Sequence, residues 1–71
     1  MREGTLVKNE IGRWEFADVE LTSGDLVEIF VGQWIRGRIE YSHASREYVC
    51  LVGDEAATLR LQTGMKARLP R

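Results

Sequence analysis

Few residues in this chain have side chains suited to chemistry. Cys50 is the single cysteine and His43 the single histidine. A nucleophilic thiol needs a base within hydrogen-bond reach and donors for the developing oxyanion. Cys50 instead lies in the apolar run Tyr48-Val49-Cys50-Leu51-Val52, surroundings that raise a thiol's pKa and leave it inert. One cysteine cannot form a disulfide within the chain, and two soft ligands do not make a structural zinc site. The acids Asp25, Glu28 and Glu40 could share a proton or hold a cation only if neighbouring strands brought them together; separated surface carboxylates are the plainer expectation. The seven glycines are scattered at turn positions, so no glycine-rich phosphate loop is present. These residues predict no catalytic group, no metal site and no cofactor, and no small-molecule substrate is evident.

Binding chemistry has more to work with. Trp34, Arg36, Arg38 and Glu40 alternate along one segment, which on a strand sets them in a row about 6–7 Å apart. Glu28 and Phe30 are expected to face the same side from the preceding strand. A guanidinium stacks on an indole or pairs with a carboxylate or phosphate, so Phe30, Trp34, Arg36, Arg38 and Glu40 form a candidate interaction surface. The competing expectation is that Arg36 and Arg38 pair with Glu28 or Glu47 and shield Trp34 with their stems. Trp14, Phe16 and Tyr41 could line a cage for a methylated cation, but a chain this short needs them as core. Arg60, Lys66, Arg68 and Arg71 make the C-terminal end basic, a candidate phosphate-tracking stripe. The pI of 5.8 lies well below that of a dedicated nucleic-acid binder.

The elements that must position these residues are strands. Period-two alternation of β-branched and aromatic residues recurs, with glycines between the runs. It predicts strands over Gly4–Lys8, Arg13–Val19, Leu26–Val31, Trp34–Tyr41, Glu47–Val52 and Met65–Leu69. Residues 56–61 allow a single helical turn. Gly32-Gln33 has the form of a two-residue hairpin turn with glycine first; that register sets Val31 opposite Trp34 and Glu28 near Gly37. Strands at this spacing describe a meander, which at this length must curl to remove its edges. No internal repeat or linker is visible.

The segment Leu21-Thr22-Ser23-Gly24-Asp25-Leu26-Val27-Glu28-Ile29, followed by Gly32-Gln33-Trp34-Ile35 and Arg38-Ile39-Glu40-Tyr41, is similar to a family of short bacterial proteins of unknown function. These share a GD-x-V-E strand, a G-x-W-I turn and an R-I-E strand. Gly4-Thr5-Leu6-Val7 and Tyr48 extend the likeness over most of the chain. The resemblance implies an SH3-like barrel and no particular activity. The same central motif resembles, more weakly, the Tudor and Agenet barrels.

The expectation is therefore one all-β domain over residues 1–71, a small SH3-like barrel of five to six strands in a meander. Residues 1–30 hold seven acids against three bases, and residues 31–71 seven bases against four acids. A chain this short buries only about 60% of its unfolded surface, which makes self-association one route to added stability. A protein partner or homo-oligomer is the first expectation, and nucleic acid bound by the C-terminal bases the alternative. The charged N-terminus and the absence of a long apolar run predict a cytoplasmic protein with no membrane contact.

Overall fold

The computed structural model describes residues 2–53 and 57–70, and every regular element among them is a strand. Nine short strands form two antiparallel sheets: β1 (Glu3–Thr5), β2 (Val7–Lys8), β3 (Trp14–Phe16), β4 (Val19–Glu20), β5 (Leu26–Phe30), β6 (Trp34–Ser42), β7 (Glu47–Val52), β8 (Ala57–Arg60) and β9 (Lys66–Arg68). The larger sheet runs β1-β9-β5-β6-β7-β8 and the smaller β2-β3-β4. The all-β expectation holds. The sheet does not close on itself, because β8 and β1 lie at opposite ends. In the larger sheet only β5 to β8 are a meander, while β9 returns across the sheet to pair with β5; β2 to β4 make a second, three-stranded meander. No helix among the described residues is long and apolar enough to cross a membrane.

Three expected elements differ, each for a local reason. The first strand is split at Leu6, which is fully buried. Its N–H donates to Met65 C=O at 2.8 Å and its C=O accepts from Gly64 N–H at 3.0 Å, so the chain passes from one sheet to the other there. The second strand reverses at Ala17-Asp18, both with positive φ (46° and 65°), the geometry of a tight two-residue hairpin. No glycine announces this turn. The expected helical turn is instead strand β8 over residues 57–60, paired with β7 from Val49↔Arg60 to Val52↔Ala57; Ala56 lies outside the described residues.

A short repeat also emerges. Thr22-Ser23-Gly24-Asp25 and Gln62-Thr63-Gly64-Met65 form equivalent turns, closed by Asp25 N–H to Thr22 C=O (3.1 Å) and Met65 N–H to Gln62 C=O (3.2 Å). The glycine in each has φ near +90° to +100°, as a type II turn requires at its third position. Each turn follows a buried leucine, Leu21 or Leu61, and leads into one of the adjacent strands β5 and β9. Gly24 and Asp25 clamp the main chain of Ile39 as Gly64 and Met65 clamp that of Leu6.

The core fills the space between the sheets with Leu6, Trp14, Phe16, Leu21, Val27, Ile29, Ile39, Cys50, Leu61 and Ala67. No polar or charged side chain is buried among the described residues. Gly37, mid-strand in β6, is required by close approach: a Cβ there would collide with Cys50 Sγ and stand 2.6 Å from Leu51 C=O.

Candidate binding surface

The hairpin between β5 and β6 decides which side chains share the outer face. Val31-Gly32-Gln33 is a three-residue connection, with Val31 N–H donating to Gln33 C=O at 2.9 Å and Gly32 at φ +85°. The pairing is therefore Phe30↔Trp34, Ile29↔Ile35, Glu28↔Arg36 and Leu26↔Arg38, one residue from that set by a two-residue turn. A slip of one residue exchanges the faces of a strand. The observed register places Trp34, Arg36 and Arg38 beside Phe30, Glu28 and Leu26, and leaves Val27 and Ile29 to the core.

Phe30 meets the Trp34 ring edge-on at 5.3 Å between centroids. Arg68 lays its guanidinium over the same indole, 4.0 Å from the centroid. Glu28 holds this group in place: one oxygen accepts from Arg68 Nε at 2.6 Å and the other pairs with Arg36 Nε at 3.6 Å. The hydrogen bond from Arg68, with the attraction of both cations, keeps the Glu28 carboxyl below its ordinary pKa. Arg38 pairs along its own strand with Glu40 at 2.6 Å. The apolar members stay open to solvent, Phe30 at 41% and Leu26 at 54% exposure.

Of the expected face, Phe30 and Trp34 touch, Arg36 joins them through Glu28, and Arg38 with Glu40 continues the row. The arginine that shields Trp34 is Arg68, from the distant strand β9, rather than Arg36 or Arg38. Glu28 is the hub. Its one sequence signal is that it is the only charge in an otherwise apolar strand; Arg68 carried no such signal, since β9 pairs with β5 across the intervening chain.

The basic stripe is not assembled. Arg60 on β8 and Arg68 on β9 are separated by the three strands β5, β6 and β7. Arg60 pairs with Glu47 at 3.0 Å, Arg68 is committed to Glu28, and Lys66 is exposed; Arg71 lies outside the described residues. The uneven charge of the two halves is reconciled in the same way, with Glu28 from the first half between two arginines of the second.

The other candidates separate too. Trp14 and Phe16 are core, while Tyr41 packs edge-on against Tyr48 and His43, so no cage forms from the three. Asp25 caps the Thr22 N–H at 2.9 Å and Glu40 is held by Arg38, so these acids do not act as a pair. Cys50 is fully buried, and burial pushes its thiol up to about 11. His43 is exposed in the turn after β6. Among the described residues no group of three metal-ligating side chains converges.

A second polar cluster lies on the small sheet. Glu15 and Glu20 oppose each other across β3 and β4, and the Asn9 amide bridges them at 3.0 and 2.6 Å. Arg13 adds an ion pair to Glu20 at 3.2 Å; its guanidinium is held above its ordinary pKa by the Tyr48 side chain first and by Glu20 next. This network ties down the β2–β3 turn, where Asn9 Oδ1 accepts from the N–H groups of Ile11 and Arg13.

Comparison with known families matches residues 4–69 to a family described as a domain of unknown function (DUF5348). The chain belongs to that family. The match takes in all nine strands except Glu3, the first residue of β1, and so every outer-face residue of β5, β6 and β9. No curated protein and no solved structure matches the chain.

Proposed function

We propose that this domain is a non-catalytic binding module that engages a protein partner through the outer face of β5, β6 and β9. The observation that carries the reading is the cluster Phe30–Trp34–Arg68, fixed by Glu28 and left half open beside exposed Leu26. Aromatic and arginine side chains dominate binding energy at interfaces when they are held in place before contact. Here the indole is gripped on one face by a guanidinium and on its flank by Phe30, so little side-chain freedom remains to be lost on binding. The remainder of the row, Arg36 with Arg38 and Glu40, supplies a polar rim of both signs, suited to orienting a partner rather than to tracking a phosphate backbone.

The test uses a photo-crosslinking amino acid at Phe30 and, as a control, at Ile11, an exposed residue of the β2–β3 turn. A partner of this face crosslinks from position 30 and not from position 11. With that partner in hand, Phe30→Ala and Trp34→Ala should each weaken binding by about 10- to 100-fold, while the fluorescence of buried Trp14 reports an intact core. Folded variants that keep full affinity would remove the reading.

A further inference from the structure

The two ends of the six-stranded sheet are finished differently. β1 is three residues long, carries Glu3, and is backed by the β3–β4 hairpin, whose Ala17 lies so close that a Cβ on Gly4 would stand 3.1 Å from its nitrogen. β8 pairs with β7 on one side and with no described residue on the other. It is four residues long and carries one charge, Arg60, on the outer face. It has no proline, no bulge in its register and no charge on its inward-facing positions, three of the devices that keep an edge from pairing, and no hairpin backs it as one backs β1.

The direction of its free main-chain groups follows from the ladder. Ile39 N–H donates to Asp25 C=O, and Ile39 C=O accepts from Gly24 N–H, both at 2.8 Å, so Ile39 turns its main chain toward β5. That direction alternates along a strand, and antiparallel partners that exchange hydrogen bonds face each other. Arg38 and Glu40 therefore bond to Leu51 and Val49 of β7, which leaves Cys50 and Val52 to bond to β8. Leu59 and Ala57 bond back to these two, and Thr58 and Arg60 turn their N–H and C=O groups outward.

We infer that β8 pairs antiparallel with β8 of a second copy of this chain, about a two-fold axis at Leu59. The strand is complementary to itself in that register and not in the neighbouring ones. With the axis at Leu59, Thr58 faces Arg60 of the second copy and Arg60 faces its Thr58, giving two hydrogen-bonding pairs. An axis at Arg60 sets two guanidinium groups against each other. An axis at Thr58 forms a single hydrogen-bonding pair within Ala57–Arg60, Thr58 against Thr58. The Leu59 axis also brings the two Leu59 side chains together on the inner face, where they extend the apolar row Ile39–Cys50–Leu59 from one copy into the other. The Arg60 side chain, 74% exposed, keeps its pair with Glu47 on the opposite face. This contact is separate from the Phe30–Trp34 face and does not depend on it.

Sedimentation equilibrium over a concentration series, together with amide hydrogen exchange, tests the inference. The expected result is a species of twice the 8.1 kDa chain mass. The amides of Thr58 and Arg60 should become protected as concentration rises, while those of Ala57 and Leu59 stay protected throughout. Thr58→Pro removes an outward N–H without touching the β7 ladder and should raise the dissociation constant by about tenfold or more. Trp34→Ala should leave dimerisation unchanged. A monomer at millimolar concentration overturns the inference. So does a dimer in which the Thr58 and Arg60 amides exchange freely, and that exchange result decides the matter on the native chain even if the proline variant does not fold.

Discussion

The inner and outer faces of the large sheet are made by alternate residues of the same strands, yet they hold together by different physics. The inner face brings Val27, Ile29, Ile39, Cys50 and Ala67 together with no charge and almost no exposure. The outer face sets Glu3, Arg68, Glu28 and Arg36 side by side in one cross-strand row, with Phe30 and Trp34 beside it. Stability resides on the first face, where each methylene removed leaves a cavity. The second face contributes little to stability, because partly exposed ion pairs are worth roughly 0–1 kcal/mol each. It is consequently free to be specialised for contact.

Truncation sharpens that contrast most. Ile39→Ala should cost about 2–5 kcal/mol in urea unfolding, a large share of the margin of a domain this small. Glu40→Ala, the next residue on the opposite face, should change stability by less than about 1 kcal/mol. Equal losses from the two would abolish the distinction between the faces.

Adding an atom to the inner face should be nearly as harmful as removing several. Gly37→Ala is expected to cost about 1–3 kcal/mol by overpacking. Combining it with Cys50→Ala should restore only part of that loss, because the Leu51 carbonyl oxygen, unlike the sulfur, cannot be trimmed away. Full recovery in the double variant would mean that the β6–β7 backbone spacing adapts.

The thiol offers a probe of the same face. Because the folded pKa of Cys50 is raised, the protonated thiol favours the native state, and stability should fall as pH climbs from about 9 toward about 11. At pH 8 the native protein should not react with a thiol reagent until it is unfolded. Rapid labelling under native conditions would show that the inner face opens easily.

The smallest effect belongs to the outer face. The Glu28 carboxyl is held below its ordinary value of 4.5, so its contribution to stability is present above that pH and is lost as pH falls through the folded value. Glu28→Gln should flatten part of the acid limb of the stability profile while leaving the alkaline limb unchanged. An acid limb identical in both proteins would show that Glu28 does not contribute to it.

Several of these features are legible in the sequence because they depend on near neighbours. Alternation in Trp34–Tyr41 correctly separated Gly37 and Ile39 from Trp34, Arg36, Arg38 and Glu40, and the apolar surroundings of Cys50 announced its burial. The turn at Ala17-Asp18 was not legible, since neither residue advertises positive φ as glycine does. Nor was β8, whose Ala-Thr-Leu-Arg has too few residues for a period to show. The repeated turns after Leu21 and Leu61 are visible in outline only once their identical hydrogen bonding is known.

The sequence by itself determined the class of the fold and the two sides of its longer strands, such as β5 and β6, because a strand's sidedness needs nothing beyond its own residues. Only the tertiary structure decided the register of β5 on β6, the return of β9 to the centre of the sheet and the placing of Arg68 over Trp34. Those depend on which distant segments pair, and that choice rests on the packing of the whole core rather than on any local pattern.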